Sequence, residues 1–133
     1  MKTKRSPEEI AAWREKMSAT AKRVRAMSKE ERDALAIRCG TCNPEGRSFS
    51  IFNTCFLWAQ AGKTILMAGG FRQWQRAGRM VKKGEHAAGL IYIPINPAKQ
   101  DAEPDGEKED VHFRLVPVFD VEQTQLMEVT AAM

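Results

Sequence analysis

The stretch Ser48–Gly62, SFSIFNTCFLWAQAG, sets how the rest of the chain must be arranged. Ser48 or Ser50 can cap a helix at its start, and Gly62 suits the left-handed position just past a helix end. Between them Ile51, Phe52, Cys55, Phe56, Leu57 and Trp58 make a broad apolar surface, leaving Asn53 and Gln60 on a narrow polar stripe seven residues apart. A helix with so wide an apolar surface belongs at the centre of a core.

Upstream, Ser6, Pro7 and Glu9 form a capping box with proline at the first helical position, and Ile10, Trp13, Met17, Thr20, Val24 and Met27 follow at spacings of three and four. This predicts a helix from Pro7 to Met27. Ser28 with Glu31 repeats the box and Gly40 supplies the stop, which predicts a second helix from Lys29 to Cys39. The lysines and arginines outside the apolar stripe allow this helical stretch either to lie across the domain or to fray as a basic arm. Gly40–Arg47, GTCNPEGR, reads as a loop because Gly40, Asn43, Pro44 and Gly46 are all turn formers.

Downstream, Thr64–Ala68 reads as a short strand, Gly69 and Gly70 as a turn, and Phe71–Ala77 as a short basic helix. Gly89–Ile95 and Val111–Phe119 are β-rich and are separated by a proline-containing acidic stretch, Asn96–Asp110. They predict an antiparallel pair with a long connection, with Pro94 and Pro117 at strand ends, edges or bulges because neither can donate to a ladder. The expected fold class is α+β: amino-terminal helices and a central helix packed against a small antiparallel sheet, with one short basic helix. At 133 residues the chain suits one domain. Residues 1–38 read as a basic helical extension of a compact unit over 39–125, followed by a tail at 126–133.

Charge is segregated along the chain. Residues 1–95 are net +10 and residues 96–133 net −6. A polyanion is the natural partner of the first part, and the acidic remainder limits indiscriminate adhesion. No apolar run approaches the roughly 20 residues of a membrane span, and the lysines near the start lack a following apolar stretch. A cytoplasmic protein with no membrane partner is the expectation.

The basic character peaks in Phe71–Glu85, FRQWQRAGRMVKKGE, where Arg72, Arg76, Arg79, Lys82 and Lys83 face a single acid. Continued as a helix, Arg72, Arg76 and Arg79 share one stripe, while Phe71, Trp74 and Gly78 cluster away from it. One face packs and the other stays cationic, which concentrates potential where phosphates release their counterions on binding. The ordinary alternative is a solvated helix face. Phe49, beside the glycine loop and Arg47, is the best candidate for stacking on unpaired bases, whereas Trp13, Trp58 and Trp74 sit on apolar stripes and read as core. Asn53 offers a donor and an acceptor, either to a base edge or to the preceding loop.

Three cysteines, Cys39, Cys42 and Cys55, do not make a disulfide framework. Only His86 and His112 could complete a metal site around Cys39 and Cys42, and neither belongs to a ligand-like pair, so no metal and no cofactor is expected. No phosphate-binding loop, nucleophile elbow or paired-carboxylate constellation is present. The residues point to a binding module rather than an enzyme.

Three motifs in order, N-P-x-G-R-x-F-S-x-x-N (Asn43–Asn53), F-x-x-W-x-x-x-G-R-x-V-x-K-G-E (Phe71–Glu85) and V-F-D-V-E-Q-T (Val118–Thr124), resemble the amino-terminal single-stranded-DNA-binding domain of ArdC-type antirestriction proteins. The resemblance spans roughly Cys39–Gln125. It implies a small α+β domain of plasmids and phages that binds single-stranded DNA, with Asn43, Gly46, Arg47, Phe49 and Asn53 in a first contact loop and Arg79, Lys82, Lys83 and Gly84 in a second. Larger relatives carry a following metallopeptidase-like domain with a His-Glu-x-x-His zinc motif. That motif is absent from this sequence, which reads as the stand-alone domain without peptidase activity.

The combined expectation is sequence-tolerant binding of single-stranded DNA through Asn43, Arg47, Phe49, Asn53, Arg72, Arg76, Arg79, Lys82 and Lys83, in protecting plasmid or phage DNA within a bacterial host. An alternative is an anti-defence protein that captures a host restriction or immunity protein, motivated by Asp101–Asp110, which holds six acids and one lysine. A zinc-stabilised adaptor is a third reading.

Overall fold

The computed structural model describes residues 6–95 and 113–127. The acidic connection Asn96–Asp110 lies outside the described residues, as does the end of the tail. Among the described residues four α-helices, α1 (Pro7–Ala26), α2 (Lys29–Cys39), α3 (Ile51–Ala61) and α4 (Phe71–Arg76), accompany five strands: β1 (Ala68–Gly69), β2 (Arg79–Val81), β3 (Gly89–Pro94), β4 (Phe113–Asp120) and β5 (Thr124–Leu126). The expected α+β class is the observed one.

The helices begin and end where local chemistry says they should. Ser6 and Ser28 each accept a hydrogen bond from the third helical amide, of Glu9 and Glu31, whose carboxylates return to the serine amides. Ser50 rather than Ser48 caps α3, accepting from the Asn53 amide at 3.1 Å. Gly40 and Gly62 take left-handed conformations after α2 and α3. α1 does not fray. Its buried Met17, Ala21 and Val24 pack with Leu35 and Cys39 of α2 and Phe52, Cys55 and Phe56 of α3.

α3 stands between that helical cluster and the sheet. Leu57, on its other side, joins Ile65, Ala68, Ile91 and Val118 in a second buried cluster. The main sheet has the order β1-β4-β3, antiparallel throughout, with Gly89 opposite Val118 and Pro94 opposite Phe113. β4 is therefore the middle strand. Pro94 ends β3 as expected. Pro117 lies inside β4, where the Val118 carbonyl turns toward β3 to accept from the Ala88 amide at 2.9 Å. Strand alternation then turns Pro117 the other way, beyond the two residues that β1 covers, so no ladder bond is lost.

The free edge of β3 is closed by side chains. Asn53 donates to the Tyr92 carbonyl and accepts from the Tyr92 amide, both at 2.9 Å, and Gln60 makes the same pair of bonds with Leu90 at 2.8 and 2.9 Å. Two amides two helical turns apart thus stand in for a neighbouring strand, which keeps the edge from pairing with another chain.

Three expectations are corrected. Thr64–Ala68 is mostly not strand: β1 starts only at Ala68 and takes in Gly69, while Thr41 and Cys42 hold the preceding residues by bonds to the Ile65 carbonyl and from Cys42 N–H to the Leu66 carbonyl. The second sheet, β2 paired antiparallel with β5, was not anticipated. Trp58 is 38% exposed rather than core, because the apolar surface of α3 is wider than the elements that cover it.

Candidate nucleic-acid interface

The loop Asn43–Arg47 is shaped by Asn43 itself. Its side-chain oxygen accepts from the amides of Glu45 and Arg47 at 3.0 and 2.9 Å, its own amide donates to the Arg47 carbonyl, and its carbonyl accepts from Gly46. An asparagine suits this Asx geometry, and it leaves Arg47 exposed at the end of the loop.

This loop docks on α4. Gln73 accepts from the Gly70 amide at 3.0 Å and donates to both Glu45 carboxylate oxygens at 3.2 Å. Gly69 makes the approach possible, since a Cβ there would fall 2.5 Å from Pro44 Cγ. Arg72 and Arg76, exposed on α4, are thereby brought to the same region as Arg47. Among the described residues Arg72, Arg76 and Lys83 have no ion-pair partner. Charges left unneutralised on an exposed surface are available to an external anion.

Arg79 departs from the expected stripe. α4 ends at Arg76, so Arg79 lies on β2, half-buried, with Nε donating to Thr124 Oγ1 at 2.7 Å and Nη2 to the Thr124 carbonyl at 3.2 Å. It braces β2 against β5. Lys82 and Lys83 follow in an exposed turn that Gly84 closes at φ 88°, a conformation side chains with a Cβ rarely adopt.

The Val118–Thr124 motif holds this turn in place. Trp74, 1% exposed, donates from its indole to the Phe119 carbonyl at 2.9 Å. Asp120, also buried, accepts from the Glu122 amide and lies 3.6 Å from Lys63 Nζ. Gln123 donates to Glu85 Oε1 at 3.1 Å and to the His86 carbonyl at 2.5 Å, and Lys82 reaches the Glu122 carbonyl. Sequence reasoning noticed this motif without assigning it work. Its signal was the Asp-x-x-Gln box, in which the Asp120 amide donates to Gln123.

The aromatic residues redistribute. Trp74 is core as expected, but Phe71, expected to pack beside it, is 49% exposed at the start of α4 next to Arg72. Phe49 is half-buried, with one side against the Leu57–Val118 cluster. Asn53 is 7% exposed and both ends of its amide bond the Tyr92 backbone, which corrects the reading that ties its side chain to the preceding loop. Cys39 and Cys55 lie in the helical cluster, Cys55 donating to the Arg32 carbonyl at 3.5 Å. Among the described residues no cluster of three or more potential metal ligands occurs.

The α+β domain so built, with a loop docked on a short helix and a basic turn held by the Val118–Thr124 segment, is a member of a known class. The chain belongs to the family of the N-terminal domain of anti-restriction factor ArdC, whose model matches residues 9–121. Among solved structures it is similar in fold to the Mn(II)-bound crystal structure of antirestriction ArdC protein from R388 plasmid, at 17% identity and a TM-score of 0.51. That match covers 84% of this chain and 40% of the other, so the chain spans well under half of its relative. The metal-free crystal structure of the same protein matches at 16% identity, a TM-score of 0.46, and 84% and 42% coverage. A comparison with curated proteins gives no match.

Proposed function

We propose that this domain binds single-stranded DNA with little sequence preference, as a non-enzymatic part of antirestriction or of the protection of mobile DNA. The observation that carries the reading is the docking of the Arg47 loop onto α4 through Glu45 and Gln73, beside Arg72 and Arg76, whose charges no described residue neutralises. Arg47, Arg72, Arg76, Lys82 and Lys83 take phosphates, and the exposed ring of Phe71, with the free side of Phe49, takes bases. Asn43 shapes the loop and Arg79 holds the β2–β5 pair, so their contribution to binding is through position.

The test is fluorescence anisotropy with oligo-dT across a salt series. Neutralising about five phosphates on a single strand gives a slope of log affinity against log salt of roughly −3.5, and Arg72→Ala with Arg76→Ala flattens it by roughly 1.4. Phe71→Ala lowers affinity by about 1–3 kcal/mol at every salt concentration, without changing the slope. Absence of binding at low salt, or binding indifferent to salt, overturns the proposal.

A further inference from the structure

Away from α4, a groove of about 380 Å³ opens between α1 and the segment leading into β3. Its walls include Trp13, Lys16 and Arg23 on one side and His86 on the other, and among the described residues no acidic side chain lines it. The floor is already satisfied: Gln60 is fully engaged with the Leu90 backbone, and Gly89 lies so close to Leu57 that a Cβ would fall 2.6 Å from its Cδ1. Polar contact with an occupant therefore comes from the rim. Lys16 and Arg23 are exposed, and neither has an ion-pair partner among the described residues. They stand two helical turns apart on one face of α1, with the half-buried Trp13 a turn before Lys16. Glu9, on that face, is tied into the capping box further up the helix.

The chain itself brings this groove near the Lys82–Lys83 turn. Lys83 and His86 are separated by at most about 11 Å of chain, and the segment between them is held by the Gln123 bonds to Glu85 and His86. Cations flanking a half-exposed aromatic ring, with no carboxylate of the described residues in the lining, match a further length of the same ligand: phosphates on the rim and a base against the indole. Resting on the proposed function, we infer that the groove between α1 and His86–Gly89 is a second subsite for single-stranded DNA, engaged only by strands long enough to pass over the Lys82–Lys83 turn.

The experiment compares oligo-dT of about 6 and about 20 nucleotides, lengths spanning the usual footprints of small single-strand binders. Lys16→Glu with Arg23→Glu is set against the charge-matched Lys22→Glu with Arg38→Glu, two exposed residues outside the groove. The expected result is at least about a tenfold loss for the long strand at low salt and a salt slope flatter by roughly 1.4, with short-strand affinity following the control. Lys16→Ala with Arg23→Ala covers the case in which charge reversal unsettles α1. A long-strand loss no greater than the control's, or an equal loss on both lengths, overturns the subsite. Arg72→Glu with Arg76→Glu separates the two ideas: wild-type protein that fails to bind, or binding indifferent to this pair, overturns the α4 interface, whereas indifference to the α1 pair alone removes only the extension.

Discussion

Asn53 shows how a single side chain was legible in kind and misread in role. Its place on a narrow polar stripe with Gln60 was visible in the sequence, but which backbone it would meet depends on β3 arriving from about 39 residues away. No local pattern encodes that encounter. Removing the amide strands a part-buried amide and carbonyl of Tyr92, so Asn53→Ala costs about 1–3 kcal/mol of stability in chemical denaturation. Oligo-dT affinity measured where the variant is still folded should be unchanged, and a specific loss of affinity there would return Asn53 to the binding surface. Arg79 is the converse case: helical periodicity put it in a stripe with Arg72 and Arg76, and the helix ends at Arg76, capped by Ala77.

At the scale of elements, α1, α2 and α3 were readable almost to the residue because their ends are written in serines, glutamates and glycines. Glu31 carries a pH signature of that chemistry. Hydrogen bonds with Ser28, backbone first and side chain second, hold its carboxyl below the usual value of 4.5. A depressed folded value means the capping contribution is complete above about 4.5 and is lost as pH falls through the lower folded value. Glu31→Gln, which keeps the box but does not titrate, should flatten the decline of the denaturation midpoint with pH in that acid window; parallel declines would rule the effect out. β2 and β5 escaped detection for the opposite reason, since strands of only three residues, RMV and TQL, are too short to display a periodicity. The loop–α4 contact was likewise invisible, although its glycine was not. Gly69→Ala should displace Pro44 and the Arg47 loop, lowering oligo-dT affinity together with thermal stability. A drop in stability alone would detach that loop from binding.

For the whole molecule, the segregation of charge was the most reliable reading of the sequence, because it needs no fold to be true. Residues Asp101–Asp110 contribute six acids and one lysine to the field around a cationic surface. Replacing them with a neutral linker of equal length should raise oligo-dT affinity several-fold at about 20 mM salt and leave it unaltered near 0.5 M, where the screening length is only a few ångströms. An affinity that falls instead would mean the acids contribute directly to the complex.

The position of β4 in the middle of the main sheet has a temporal corollary. Trp74 and the Lys82–His86 turn are held by Phe119–Gln123, made some 40 residues later in synthesis. A chain still emerging from the ribosome exposes its arginines and lysines before their scaffold exists; on the proposed function, competence for nucleic acid therefore awaits β4 and the residues just after it, and translation itself delays that moment.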